Sequence, residues 1–261
     1  MSSKYSYITH LFTKLKHGSE MTEVAKLSFK VGYGIEGDIN ANPISPRQVL
    51  IVRHEDILEL SIPPGKLREN IVIKNVNQEQ FLPGSIICCD NGAVIRLTFY
   101  CEPCKRISHL VDSLKVIERK RGILGVVITG GEIEVGNNFQ IENNKFPTLS
   151  ENSYERFLYF VAKIPKGKVV TYKQIIYGIG VGNSYMRAIP TYLKKTSAAD
   201  YPIHRILDSE GKLIQHVHNQ KEKLESEGID VLYKADLLNN SNNYCVALSK
   251  YIWEDQNIYL I

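Results

Sequence analysis

Along residues 1–145 the apolar positions fall in short runs of branched side chains. Gln48-Val49-Leu50-Ile51-Val52, Asn70-Ile71-Val72-Ile73 and Val94-Ile95-Arg96-Leu97-Thr98-Phe99 are bounded by Gly, Pro or Asn. That pattern predicts many short strands in a β-barrel or sandwich. One helix is expected from about His109 to Arg119, ahead of a strand over Leu124–Ile128. Gly130-Gly131 then predicts a turn into the last strands, and Glu142–Thr148 a linker. From Ser150 the period changes to that of helices. Ser153 is a candidate N-cap for a helix with Phe157, Leu158, Phe160 and Val161 on one face. Thr171–Ile176 predicts the first helix of a helix-turn-helix, with Thr171 as its cap. Gly178, Gly180 and Gly182 supply the turn, and Ser184–Lys195 the second helix, which Pro190 should break or kink. Asn239–Asn243 predicts a polar, flexible stretch before a short apolar end, Tyr244–Ile261. The boundaries expected are therefore 1–145, 150–235 and a C-terminal extension over 236–261.

A chain of 261 residues holds two domains that can each bury a core. With 43% apolar and 23% charged residues it reads as globular and soluble. A formal net charge of +4 requires any nucleic-acid surface to be a local basic patch. No apolar run approaches the ~18 residues of a membrane span. The first residues lack the apolar core of a secretory signal. Five cysteines, an odd number, argue against a full disulfide framework and for reduced thiols in the cytoplasm.

Three blocks in the second half carry the most specific signal. They are Ile164-Pro165-Lys166-Gly167-Lys168-Val169-Val170-Thr171-Tyr172-Lys173-Gln174-Ile175, then Tyr201-Pro202-Ile203-His204-Arg205, then Gln220–Gly228. In this order they resemble the DNA-binding domain of the alkylguanine-DNA alkyltransferases over about residues 153–230. That family has a nucleophilic cysteine where this chain has Ile203, so the resemblance is to the alkyltransferase-like proteins, which bind a lesion without removing the alkyl group. The resemblance implies a winged-helix-like helix-turn-helix domain whose partner is double-stranded DNA with a modified base. It places Arg187 as the residue inserted where a base is flipped out, and Tyr172 as the one that crowds the rotated phosphate. Lys173 and Arg205 join them as DNA contacts, and Pro202, Ile203, His204 and Glu227 line the lesion pocket. His204 and Glu227 match the pair that activates the thiol in active enzymes; with Ile203 they have nothing to deprotonate. Taken singly, Tyr172 also fits packing, Arg187 a solvated charge and His204-Arg205 a surface pair. The chain departs from the family at Ile203, where Trp is usual, at Pro190, and at Leu213-Ile214-Gln215-His216.

In the first half, Gly34-Ile35-Glu36-Gly37-Asp38, Arg47-Gln48-Val49, Leu67-Arg68-Glu69-Asn70-Ile71 and Leu82-Pro83-Gly84-Ser85 precede Cys101-Glu102-Pro103-Cys104-Lys105-Arg106-Ile107 and Gly130–Gly136. This series resembles the MOSC domain, a β-barrel whose one essential cysteine holds sulfur as a persulfide or ligates molybdenum. Cys104 is the matching position, which implies a molybdenum cofactor or carried sulfur there. Lys105 and Arg106 beside it favour a thiolate. Cys101 and Cys104 also form C-x-x-C, but no second C-x-x-C or close His pair completes a zinc set, and the thioredoxin-like βαβ context of a redox pair is absent. Cys88, Cys89 and Cys101 are expected as small buried hydrophobes.

The fold class expected is thus α+β in two domains, a MOSC-like β-barrel and a helix-turn-helix domain. The function expected is recognition of an alkylated or modified base without alkyl transfer, with Cys104 the one candidate catalytic residue and molybdenum ligand. Two alternatives stay open: a MOSC-type sulfurtransferase or molybdoenzyme acting on a modified base or nucleoside, and a non-catalytic adaptor for DNA-repair proteins. The expected location is cytoplasmic, at the nucleoid in a bacterium.

Overall fold

A computed structural model describes residues 5–16, 18–236, 241–254 and 258–260. The architecture is α+β in two compact units, the first covering the chain up to Glu151 and including Tyr259, the second running from Asn152 to Ile258.

The first unit is a closed barrel. Its strands follow the order Asn138–Glu142, Ile86–Cys89, Val94–Tyr100, Ile123–Thr129, Val49–Arg53, Ile71–Lys74 and Ser6–Thr13. Ser6 then pairs with Phe139 and Tyr7 with Asn138 to close the ring. Every neighbouring pair is antiparallel except Val49–Arg53 with Ile71–Lys74, which the crossover helix α1, His54–Leu60, makes parallel. Closure follows from the period-two pattern. Ile71 and Ile73, Ile87 and Cys89, Ile95 and Leu97 all point into one core with Val49, Ile51 and Phe139. A smaller sheet of Lys26–Lys30, Gly34–Ile35 and Gly131–Glu134 adds Leu27, Phe29 and Ile133 to that core. Gly122 is a forced choice: its φ is +90°, and a Cβ there would lie 2.1 Å from the Ile51 carbonyl oxygen.

Several motif residues of the first half prove to be ties between loops. Asn70 accepts from the Leu50 N–H and donates to the Phe12 carbonyl and to Asp38. Asp38 accepts from the Lys14 N–H at 2.8 Å and from Asn40. Gln48 donates to the Gly32 and Asn42 carbonyls and accepts from Val127.

The helix expected over 109–119 is absent. Two 3-10 turns, Lys105–Leu110 and Leu114–Ile117, occupy that stretch, broken where Val111 takes an extended backbone. Only Ile107 and Ile117 are buried there, so no apolar face exists to hold a longer helix. The expected linker is not free either, since the Lys145 and Phe146 N–H groups donate to Gly84 and Pro147 accepts from the buried Arg96. Cys89 and Cys101 are buried, and burial pushes the Cys89 thiol up to about 12. Cys88 is only half-buried, with its S–H towards Glu142.

In the second unit α2, Ser153–Ala162, is capped by Asn152 and not by Ser153, because the Asn152 side chain accepts from the Tyr154 and Glu155 N–H groups. Phe157, Phe160 and Val161 face inwards, while Leu158 is only half-buried. α3, Tyr172–Gly178, opens on a capping box in which Thr171 and Gln174 satisfy each other's N–H groups. Pro190 does interrupt the next helix: Asn183–Ala188 is 3-10, and α4, Ile189–Lys195, restarts with Pro190 in its first turn. α5 is Gln220–Ser226 and α6 Leu248–Tyr251.

Of the segment expected as an extension, the part up to Trp253 is built into this unit, while Tyr259 belongs to the first. Ser241–Val246 pairs along Val231–Asp236, Val169 bridges Ile252, and Trp253 packs on Phe160. Of the stretch expected to be flexible, Asn239 and Asn240 lie outside the described residues, and Ser241–Asn243 belong to the strand.

α2 and α3 touch at Gly178, where a Cβ would lie 2.1 Å from the Phe160 ring. Gly178→Ala is therefore expected to destabilise the second unit by about 1–3 kcal/mol through overpacking. Urea titration followed by fluorescence of Trp253, the single tryptophan of the chain, measures this unit directly.

Candidate functional sites

The site in the second unit is assembled around the 3-10 turn Ile203–Arg205, which leads into the short strand Ile206–Leu207. That strand pairs with Val170–Thr171, so the entrance to α3 and the Pro202–Arg205 segment are held side by side. Ile203 is 4% exposed and makes part of the apolar interior. Next to it, His204 Nε2 lies 2.9 Å from Glu227. Arg205 donates to Glu227 from Nε at 2.9 Å and from Nη2 at 2.7 Å, and from Nη1 to the Ile164 carbonyl. The Gly167 N–H completes the set at 3.1 Å. One carboxylate thus ties together the Ile164–Gly167 turn, the Pro202–Arg205 segment and the end of α5.

The electrostatics decide the protonation states. Burial alone would raise the Glu227 carboxyl, but Arg205, His204 and the Gly167 N–H outweigh it and hold the group near pH 2. His204 goes the other way: burial lowers its pKa despite Glu227. It is therefore a neutral imidazole at pH 7, donating from Nε2 to the carboxylate, and the contact is a hydrogen bond and not an ion pair. Its Nδ1 is buried with no partner.

Tyr172 is the first residue of α3, and burial followed by Asp208 pushes its phenol up to about 12. Lys173 and Arg187 are exposed, Lys173 on α3 and Arg187 at the end of the 3-10 segment before α4. Arg205 was expected among the DNA contacts, whereas its guanidinium turns inwards to Glu227 and Ile164. Gln220 is a residue that sequence reading missed. It is buried, accepts from the Ile214 N–H at 2.6 Å and donates to the His204 and Ile206 carbonyls, so it joins the 214–220 loop to the site. Its signal was only its place at the head of the third block.

The first unit gathers cations about one thiol. Cys104 is half-buried, and Arg121 donates to its Sγ from Nη1 at 3.3 Å and to the Glu102 carbonyl. Arg121 is 5% exposed, and its Nε has no partner. Arg68, held at φ +67°, has its pKa lowered by burial, then by Arg106 and Arg121, with Cys104 opposing. Lys14, 4% exposed, is lowered by burial, then by Arg68 and Arg106. Arg121 therefore touches the thiol and Arg68 acts on it through its charge, while Lys14 and Arg106 neighbour Arg68; within the described residues none of the four makes an ion pair. Glu69, the buried carboxyl nearby, accepts from the Gly65 N–H and is raised by burial. Lys14, Arg68 and Arg121 were not foreseen as members of this site; Lys105, foreseen beside the thiol, is exposed. The other member of the C-x-x-C pair, Cys101, is buried, with Arg47 Nη2 3.9 Å from its sulfur.

Residues 152–229 match the family model of the 6-O-methylguanine DNA methyltransferase DNA-binding domain, and residues 46–140 match that of the MOSC domain. Alkyltransferase-like protein 1 of Schizosaccharomyces pombe is 31% identical over 100 residues, which cover 36% of this chain and 87% of that protein. Among solved structures, S. pombe Atl1 in complex with damaged DNA containing O6-carboxymethylguanine is 27% identical and covers 41% of this chain and 99% of its own, with a TM-score of 0.35. The YUAD protein from Bacillus subtilis is 19% identical and covers 52% of this chain and 95% of its own, with a TM-score of 0.46. Among the described residues, no helix is long and apolar enough to cross a membrane.

The two shifted groups give the second unit a defined acid response. His204 titrates in the fold below its ordinary 6.5, so its contribution is full above that pH and is lost as pH falls through the folded value. Glu227 titrates near 2 instead of 4.5, so its contribution is full above 4.5 and drains between 4.5 and 2. Thermal melts followed at Trp253 should show both declines. Glu227→Gln should abolish the lower one and destabilise by about 1–3 kcal/mol at pH 7.

Proposed function

The chain belongs to the alkyltransferase-like family, with a MOSC domain ahead of the DNA-binding domain, and on that premise we propose that it recognises an alkylated or otherwise modified base in double-stranded DNA without repairing it by alkyl transfer. The observation that carries this reading is Ile203, seated beside an intact His204–Glu227–Arg205 network at the position of the acceptor thiol. A hydrocarbon side chain cannot accept an alkyl group, while the network still holds the pocket segment in shape.

Reading a base requires taking it out of the stack and filling the gap. Arg187, exposed at the tip between the two helical segments, supplies the side chain that fills it. Tyr172, at the start of α3 and one strand pairing away from Ile203, supplies the contact that holds the displaced nucleotide. Lys173 adds a phosphate contact. Pro202, Ile203 and His204 form the wall on which the extruded base rests. Within this scheme Arg205 and Glu227 position that wall and do not touch DNA.

In the barrel, Cys104 is the reactive group. A molybdenum cofactor bound there would take one soft sulfur ligand from Cys104, with the partly unsatisfied Arg121 beside it to balance negative charge. Bound there, such a cofactor supplies two-electron reduction or sulfur transfer. Among the described residues no cluster of His, Cys, Asp or Glu is arranged to hold a bare metal ion. The protein's own contribution is therefore a single ligand and a cationic surround.

Binding to duplexes with and without one O6-alkylated guanine, at one fixed salt concentration, tests the reading. Wild type should prefer the modified duplex, and Arg187→Ala should lose about 1–3 kcal/mol of that binding, roughly 5- to 150-fold. Equal affinity for both duplexes would overturn lesion recognition, and alkyl transfer to the protein would overturn its non-repairing character.

A further inference from the structure

Resting on the reading of the second unit as a binder of modified double-stranded DNA, we propose that the hairpin of Val231–Asp236 and Ser241–Val246 is a further DNA contact. Tyr233, Tyr244 and Lys221 grip the sugar–phosphate backbone beside the modified base. The hairpin begins just past residues 152–229, the stretch that matches the DNA-binding family model. Its register puts Val231 opposite Val246 and Tyr233 opposite Tyr244, so these four side chains share one face of the ribbon. Val231 and Val246 pack into a core with Leu224 of α5. Further along, the same face runs out beyond that core: Tyr233 is 54% exposed and Tyr244 40%. Their rings meet edge to face with centroids 5.6 Å apart, and Lys221 Nζ lies 4.6 Å from the Tyr244 ring centre.

The phenol groups show what this pair lacks. In the same unit Tyr154, Tyr192 and Tyr251 hydrogen-bond to Thr196, Ser153 and Asp230. Among the described residues neither Tyr233 nor Tyr244 bonds its hydroxyl to a protein group. Two adjacent phenols with an ammonium beside them match the donors that proteins use on phosphate oxygens. Lys221 is available for that role, since its carboxylate neighbour Glu225 is 3.9 Å away and both side chains are partly exposed, where such pairs contribute little.

Position selects DNA over a protein partner. The Leu213 N–H donates to the Tyr244 carbonyl at 3.1 Å, and Lys212 bridges Cys245. The strand is thereby fastened to the chain that leaves the Ile203–Leu207 segment. Lys221, for its part, follows Gln220, whose amide donates to the His204 and Ile206 carbonyls. The aromatic pair is thus tied by two short routes to the wall beside Ile203, and a duplex seated at that wall brings its flanking backbone to the hairpin. Two tyrosines, with the half-exposed Leu232 on the opposite face, present far less than the ~800 Å² that each partner buries in a stable protein–protein interface.

The test uses the full-length protein and duplexes with and without one O6-alkylated guanine, at several salt concentrations. Tyr233→Ala and Tyr244→Ala should weaken binding to both duplexes alike, roughly fivefold or more, and leave the preference between them unchanged. Tyr244→Phe, which keeps the ring packing, should show most of the same loss. Lys221→Gln should lower the salt slope by about 1. The hydroxyl-radical footprint on the modified duplex should shorten on one flank in the alanine variants. Melting curves read at Trp253 check that each variant folds. Unchanged affinity and footprint in folded variants would overturn the proposal and leave lesion recognition standing. A loss confined to the modified duplex would overturn it as well. Dissociation of a protein dimer in sedimentation, with DNA affinity intact, would assign the pair to a second copy of this chain and overturn the DNA contact. Lesion recognition fails separately: equal wild-type affinity for the two duplexes removes it, while an alanine effect on both still supports the hairpin contact.

Discussion

The second unit depends on one buried carboxylate. Glu227 sits at the end of a helix, yet its oxygens reach a turn some sixty residues earlier and a histidine–arginine pair between the two. Each of those segments is too short to hold its own shape: a turn at Gly167, three residues of 3-10 helix, and a two-residue strand. Joined to a common acceptor they become a rigid wall. Removing Glu227 would leave a buried guanidinium without a counter-charge, a larger penalty than losing one hydrogen bond. Isoleucine at position 203 is at home in the apolar interior beside this network and leaves the scaffold intact.

The barrel follows the opposite logic. There the buried Arg121 donates to the Cys104 sulfur, and the surrounding loops are tied down by neutral or backbone-directed contacts through Asp38, Asn70 and Gln48. The motif residues nearest in sequence to the strands hold the frame, and the cations come from loops that the frame brings together.

How much of this could be read from the chain alone depends on the range of the interactions. Strands with their own alternation, such as Val94–Tyr100, and the capped start of α3 are dictated locally and were foreseen. Pro190 announced a break, and its position within the first turn of α4 follows from its missing N–H. The 109–119 stretch misled because charged and apolar residues alternate there at helical spacing without an apolar face to bury. Asn152 was overlooked as a cap because Ser153 stands next to it, and the carboxamide reaches two N–H groups at once. Lys14, Arg68, Arg121 and Cys104 are scattered over more than a hundred positions, so no local pattern could unite them. Only the fold shows that the Arg205 guanidinium turns towards Glu227 and Ile164.

Closure of the barrel sets an order of events. The N-terminal strand Ser6–Thr13 meets Asn138–Glu142 across nearly the whole of the unit. Contacts of such long range are slow to form, because most of the loop entropy must be lost before they repay it. During synthesis the first strand must wait, partly paired with Ile71–Lys74, until residue 142 has left the ribosome. Over that interval its free edge is open to misplaced partners. The fusion thus places first in the chain the unit whose ring closes only over nearly its full length.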